Sequence, residues 1–173
     1  FLGFDITVRT LDVSKRNSKG IKKREFVGKV MLMLSSETVK KKLLSYDAVK
    51  FTNVNGKDVW KPKSREKMVG MKPEDILAQF NLEIKGFYNY YCIANNVSST
   101  CADFGYIMEY SLYMTLGQKL RRHVGQIRDK YRKGKNFGIP CKDAKGKERF
   151  RILYKQGFKR KSALTDDFLD RTP

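Results

Sequence analysis

The 173 residues carry 37 Lys and Arg against 18 Asp and Glu, a formal charge of +19, with 40% apolar residues. That apolar share supports a core, yet the longest aliphatic run, Val30 to Leu34, is far short of the ~20 residues of a membrane span. Cys92, Cys101 and Cys141 show no C-x-x-C spacing and His123 is the single histidine, which excludes a zinc site of the usual ligands and points to free thiols in a reducing compartment.

The charge is unevenly spread. Residues 1–70 hold 17 basic against 7 acidic side chains, residues 71–117 hold 2 against 5, and residues 118–173 hold 18 against 6. Two cationic regions therefore flank a nearly neutral middle. Self-repulsion opposes such crowding, so a polyanionic partner is expected, nucleic acid ahead of an acidic membrane or protein. The chain opens on Phe1 rather than Met, and is expected to be a piece of something longer.

Phe1 to Arg9 alternates, with Leu2, Phe4, Ile6 and Val8 on one face, and predicts a half-buried strand. A basic connection from Asp12 to Arg24, turning at Gly20, leads to a second strand over Phe26 to Leu34, giving a β-hairpin. Ser35 or Ser36 suits the N-cap of a short helix that buries Val39, Leu43 and Tyr46, with Glu37 in its first turn. Phe51 to Gly70 has weak periodicity, an Asn55-Gly56 turn, and Lys61, Lys63, Arg65 and Lys67 at alternate positions; it reads as an extended basic loop.

Lys72 to Asn95 is the strongest helical stretch. Pro73 fits the first helical position, and Glu74 and Asp75 place negative charge at the positive helix end. Ile76, Phe80, Ile84, Phe87 and Tyr91 form one apolar stripe over roughly 22 residues, about 33 Å of helix. Phe87, Tyr88, Tyr90 and Tyr91 cannot all face one way, so some hydroxyls must find polar partners or the surface. Tyr90 beside Lys85 and Asn89 has the make-up of a nucleic-acid contact.

Thr100 and Asp103 resemble a capping box ahead of a second long pattern, from Phe104 through Met108, Leu112, Leu116, Leu120, Val124 and Ile127 to Tyr131, with a bend expected near Gly117. Its second half carries Lys119, Arg121, Arg122, Arg128, Lys130, Arg132 and Lys133, a density that suggests phosphate contacts with little sequence selectivity. Beyond Gly134 the pattern dissolves, apart from a short strand at Phe150 to Tyr154, into a tail expected to order against a partner. The whole predicts a mainly α fold: an N-terminal β-hairpin over 1–34, a helical bundle over 35–135, and an irregular basic extension over 136–173.

No nucleophile–base pair, phosphate-cradling glycine loop or convergent carboxylate set is readable, so no catalytic residue and no metal site is assigned. A binding role is expected. A small metal-dependent nucleic-acid processing enzyme and an RNA-associated structural protein remain as alternatives.

Four stretches in this order resemble the carboxy-terminal half of group II intron-encoded reverse transcriptase/maturases. FLGF at Phe1–Phe4 resembles the end of the last palm block, and VMLMLSSETVKKKLL at Val30–Leu44 the passage into the thumb. IKGFYNYYCIAN at Ile84–Asn95 is similar to the family's Arg-Gly-x-x-Asn-Tyr-Tyr signature, and YSLYMTLGQKLRR at Tyr110–Arg122 to its Ser-x-x-x-Thr-Leu-Ala-x-Lys signature. Lys85 stands where Arg is usual, keeping charge without bidentate phosphate geometry, and Gly117 stands where Ala is usual.

The resemblance implies a thumb and maturase domain X that bind intron RNA and the template–primer duplex, with Phe1, Leu2, Gly3 and Phe4 bordering the primer end. It also implies a parent RNA-directed DNA polymerase that uses magnesium at a Tyr-x-Asp-Asp motif upstream of residue 1. The fragment itself would need no cofactor, and its setting would be bacterial cytoplasm or an organelle.

Overall fold

The structure is a computed structural model that describes residues 2–8, 18–21, 30–142, 146–155 and 157–162. Phe1, most of the Asp12–Arg24 connection, the start of the expected second strand at Phe26, and the acidic positions Asp166, Asp167 and Asp170 lie outside them. Strands β1 (Phe4–Val8) and β2 (Val30–Leu34) pair antiparallel, Phe4 opposite Leu34 and Val8 opposite Val30. Helix α1 (Ser36–Ser45) follows, capped where Ser35 Oγ accepts the Thr38 N–H at 3.2 Å, and buries Val39 and Leu43. A hairpin of β3 (Val49–Val54) and β4 (Lys57–Pro62) leads through a 3-10 turn at Glu66–Met68 into α2 (Pro73–Tyr91). Then come α3 (Val97–Leu120), α4 (Val124–Lys130), and an antiparallel sheet of β5 (Arg132–Lys133), β6 (Asn136–Lys142) and β7 (Glu148–Ile152).

The stripe on α2 is buried as its spacing requires: Ile76, Phe80 and Ile84 pack with Phe104, Met108, Leu112 and Leu116 of α3 in one core. Phe87 stacks on Phe104 with ring centroids 4.0 Å apart. The hub, however, is α3 rather than α2. It touches α1, α2, α4, β2 and β4, and its buried positions run almost all round, from Cys101 and Ile107 to Ser111, Tyr113 and Thr115.

A buried ion pair ties the β4–α2 connection to this core. Arg65 donates from both terminal nitrogens to the Glu83 carboxylate, at 2.6 and 3.0 Å, with the two side chains 12% and 7% exposed. Gln79 Nε2 adds a 2.9 Å bond to the same carboxylate, and the guanidinium lies 4.9 Å from the Phe80 ring. The Arg65 N–H reaches Thr115 Oγ1 at 3.0 Å, and Ser111 Oγ donates to the Lys63 carbonyl at 2.6 Å.

Several expectations are corrected. The fold is mixed α/β, not mainly α, because seven strands accompany the four helices among the described residues. The segment read as a basic loop is the β3–β4 hairpin: Asn55 and Gly56 both take positive φ, 51° and 76°, the geometry of a two-residue hairpin turn. Of its cations Lys61 lies on β4, whereas Lys63 and Arg65 follow the strand and Lys67 sits in the 3-10 turn. In β1 the expected buried face fails beyond Phe4, since Leu2, Ile6 and Val8 are 65%, 57% and 54% exposed. That sheet rests on the core through Phe4 and Leu34, with Leu32 packed partly buried beside them.

The second long helix starts at Val97, not at Thr100, and breaks at Arg121, near Gly117 as expected. Arg121 takes a left-handed φ of 52°, and the Arg122 N–H returns to the Gly117 carbonyl at 2.9 Å. A Cβ on Gly117 would stand 2.7 Å from the Arg122 carbonyl oxygen. The glycine admits the returning chain, so it marks the close approach and not the bend.

Two asparagines at the α2–α3 turn complete β2. Asn95 exchanges bonds with Leu32, N–H to carbonyl at 2.7 Å and Leu32 N–H to its Oδ1 at 3.1 Å. Asn96 does the same for Leu34 through its side-chain amide, at 2.8 and 2.9 Å. At the other end, residues 153–155 and 157–162 have no regular secondary structure, yet they lie along α2 and α3. Asn81 holds Ile152 and Tyr154 by 2.8 and 2.7 Å bonds, Tyr88 donates to the Lys159 carbonyl at 2.7 Å, and Ser98 to that of Phe158 at 2.6 Å. This segment orders on its own chain because Leu153, Tyr154 and Phe158 bring apolar surface that α2 and α3 leave open.

Candidate nucleic-acid interface

The turn from α3 into α4 is strongly cationic. Arg121 and Arg122 sit in the left-handed turn itself, exposed, and Arg128 and Lys130 follow on α4, also exposed. Among the described residues none of Arg121, Arg122 and Arg128 reaches an acid within ion-pair distance. Arg132 and Lys133 continue on β5, Arg132 Nε bonding the Gly134 carbonyl at 3.3 Å and Lys133 Nζ lying 3.8 Å over the Phe150 ring.

Between α3, α4 and the last sheet opens a cleft of about 340 Å³. One wall is tyrosine: Tyr106, Tyr110 and Tyr113 recur at four- and three-residue steps along α3, with ring centroids 4.7 and 5.8 Å apart in sequence. The opposite wall carries Arg128, Arg132 and Lys135. Glu109 stands among them, accepting from Tyr113 Oη at 2.5 Å and from Lys155 Nζ at 2.9 Å. Burial and then the bond to Glu109 push the Tyr113 phenol well above its usual range, and a hydrogen bond with Tyr110 raises Tyr106. Both rings therefore stay neutral at physiological pH, which suits stacking.

The candidates named from sequence divide. Arg128 and Arg132 line the cleft, and Arg121, Arg122 and Lys130 lie on the same α3–α4 unit. Lys119 is half-buried and donates to the Val69 carbonyl at 3.0 Å, so it holds the fold. Lys85, Asn89 and Tyr90 are exposed near the other end of α2, away from this cleft's lining. Lys85 Nζ lies 5.3 Å from the Tyr154 ring, and Tyr90 Oη donates to the Leu2 carbonyl at 3.3 Å.

Of the N-terminal four, Phe4 is buried against Tyr91, centroids 5.1 Å apart, and Leu2 is exposed. Gly3, at φ 80°, offers its carbonyl to Thr38 Oγ1 at 3.2 Å. Sequence reasoning passed over Tyr106, Tyr113, Glu109 and Lys155. The first two fall between the members of the apolar stripe, and Lys155 arrives from the chain's far end.

Among the described residues no group of three His, Cys, Asp or Glu gathers to hold a metal ion, and no helix is long and apolar enough to cross a membrane. A cationic turn beside a tyrosine-walled cleft has the elements of a polyanion-binding surface. The chain belongs to the Type II intron maturase family, whose sequence model matches residues 28–170. It is 31% identical over 151 residues to the group II intron-encoded protein LtrA of Lactococcus lactis subsp. cremoris, and equally to that of strain MG1363. The match covers 86% of this chain and 24% of the relative, so the chain spans about a quarter of the length of these curated relatives.

Proposed function

We propose that this chain is the RNA-binding maturase region of a group II intron-encoded protein, and that it binds intron RNA to assist splicing. The observation that carries the reading is the run of exposed arginines at the α3–α4 turn, set beside an aromatic cleft in a chain of the maturase family. Phosphate neutralisation by Arg121, Arg122 and Arg128 supplies affinity, and the folded surface around them supplies shape selectivity.

On this reading residues 1–34 close a reverse-transcriptase palm, residues 35–135 form the thumb and domain X, and residues 136–173 extend them. Leu2, Gly3 and Phe4 sit at the primer end of a template–primer duplex, and Lys85, Asn89 and Tyr90 form a second contact zone on α2. The chain does no chemistry. The parent RNA-directed DNA polymerase would use magnesium at its Tyr-x-Asp-Asp motif, and this chain would contribute no cofactor of its own. The parent works in a reducing compartment, bacterial cytoplasm or an organelle.

The test is binding of the 173-residue chain to a structured group II intron RNA and to an unrelated RNA of equal length across a salt series. Preference for the intron RNA that persists at moderate salt is expected. Equal affinities that collapse together as salt rises would reduce the chain to a non-selective cationic module.

A further inference from the structure

The cleft between α3, α4 and the last sheet is too small for a duplex and differs in chemistry from the open arginine surface beside it. Its volume of about 340 Å³ falls at the low end of the range for small-ligand pockets, which extends from about 300 to 1,000 Å³. Tyr106 is 55% exposed and Tyr110 half-buried behind it, their rings 4.7 Å apart and tilted by 44°, so Tyr106 is the ring open to a visitor. Arg128, Arg132 and Lys135 line it from α4 and the β5–β6 hairpin, three cations against the one acid, Asp129, on that side. An aromatic wall facing cations is the pairing that single-stranded nucleic acid requires: the ring stacks a base, and the cations hold its phosphate.

Glu109 decides the orientation. Its carboxylate, with Tyr113 on one oxygen and Lys155 on the other, still has lone pairs to offer, because an ionised carboxylate accepts at about four positions. It repels a phosphate and attracts an amino-bearing base edge, as in carboxylate contacts to the cytosine amine. The phosphate is therefore directed to the arginine side and the base to the tyrosine side.

We infer that this cleft is a subsite for one unpaired nucleotide of the bound RNA, its base stacked on Tyr106 with an amino edge toward Glu109, and its phosphate held by Arg128, Arg132 and Lys135. The inference rests on the RNA-binding reading above and adds to it a preference for a flipped or bulged nucleotide over continuous helix.

The experiment uses the 173-residue chain and two probes: a short single-stranded RNA carrying one 2-aminopurine, and a blunt RNA duplex of equal length. Quenching of the 2-aminopurine on binding is expected. Tyr106→Ala, at an exposed position that leaves the core intact, should weaken single-strand binding about 5- to 150-fold, the span that loss of one base–aromatic stack produces. Duplex affinity should stay within about twofold, and Tyr106→Phe should restore single-strand binding. Glu109→Gln serves as a second variant and should change the preference among single-strand probes differing only at the reporter base.

Unchanged 2-aminopurine emission in the wild type, or a Tyr106→Ala variant that loses single strand and duplex equally or neither, overturns the subsite while leaving RNA binding intact. Failure of the wild-type chain to bind either probe overturns both.

Discussion

Two groups of cations in this molecule have opposite employment. Lys63, Arg65 and Lys119 lie between β4, α2 and α3, where they meet Asp47, Glu83 and the Val69 carbonyl. Arg121, Arg122 and Arg128, a short way along the chain, meet no acid among the described residues. A charge count gives the two groups equal weight. The difference lies in what their neighbours offer: Arg65 answers a carboxylate buried in the core, Lys63 and Lys119 find partners in partly exposed positions, and the second group leaves its charge facing outward.

The largest expected effect breaks the first group. Arg65→Ala leaves the Glu83 carboxylate buried beside Gln79 without its cation, and truncating one partner of such a pair costs about 3–5 kcal/mol. Urea unfolding should show that loss, and a change below about 1 kcal/mol would place Arg65 with the outward-facing cations. The second group is the mirror case. Replacing Arg121, Arg122 and Arg128 together by Ala should leave stability nearly unaltered, within about 0.5 kcal/mol per site, while reducing the salt slope of RNA binding by up to about three units. An unchanged slope would remove the α3–α4 turn from the phosphate contacts.

The smallest effect appears only in alkali. Burial pushes the Cys101 thiol from its ordinary 9.0 up to about 12, so the folded chain keeps that proton where the unfolded chain releases it. The folded state then binds more protons than the unfolded state between those values, and stability must fall as pH rises above about 9. Unfolding midpoints at pH 8, 9 and 10 should decline, and Cys101→Ala should flatten part of that decline. RNA affinity through the arginines should not follow the same curve, since guanidinium keeps its charge throughout.

The sequence declared α1 and α2 because each carries one apolar stripe and a capping or dipole signal at its start. It hid β3 and β4, since the alternation of Val49 to Thr52 stops at the polar Asn53 and the apolar Val59 and Trp60 are adjacent rather than alternate, although Asn55-Gly56 announced the turn between them. The central place of α3 was equally hard to see: a helix buried nearly all round shows no strong one-sided pattern. Of the candidate site, the arginines were legible as charge. The cleft was not, because Tyr106 and Tyr113 gain meaning only when β6 and Lys155 close over them from a part of the chain that glycine and proline make unreadable.

The two asparagines at the α2–α3 turn have a bearing on solubility. A two-stranded sheet normally offers its outer backbone to any passing extended segment, and that is how chains zip together into aggregates. Here the outward N–H and carbonyl groups of Leu32 and Leu34 are already answered by Asn95 and Asn96. On that side another molecule's strand finds the Leu32 and Leu34 groups taken, three of the four bonds being made by asparagine side chains doing a strand's work.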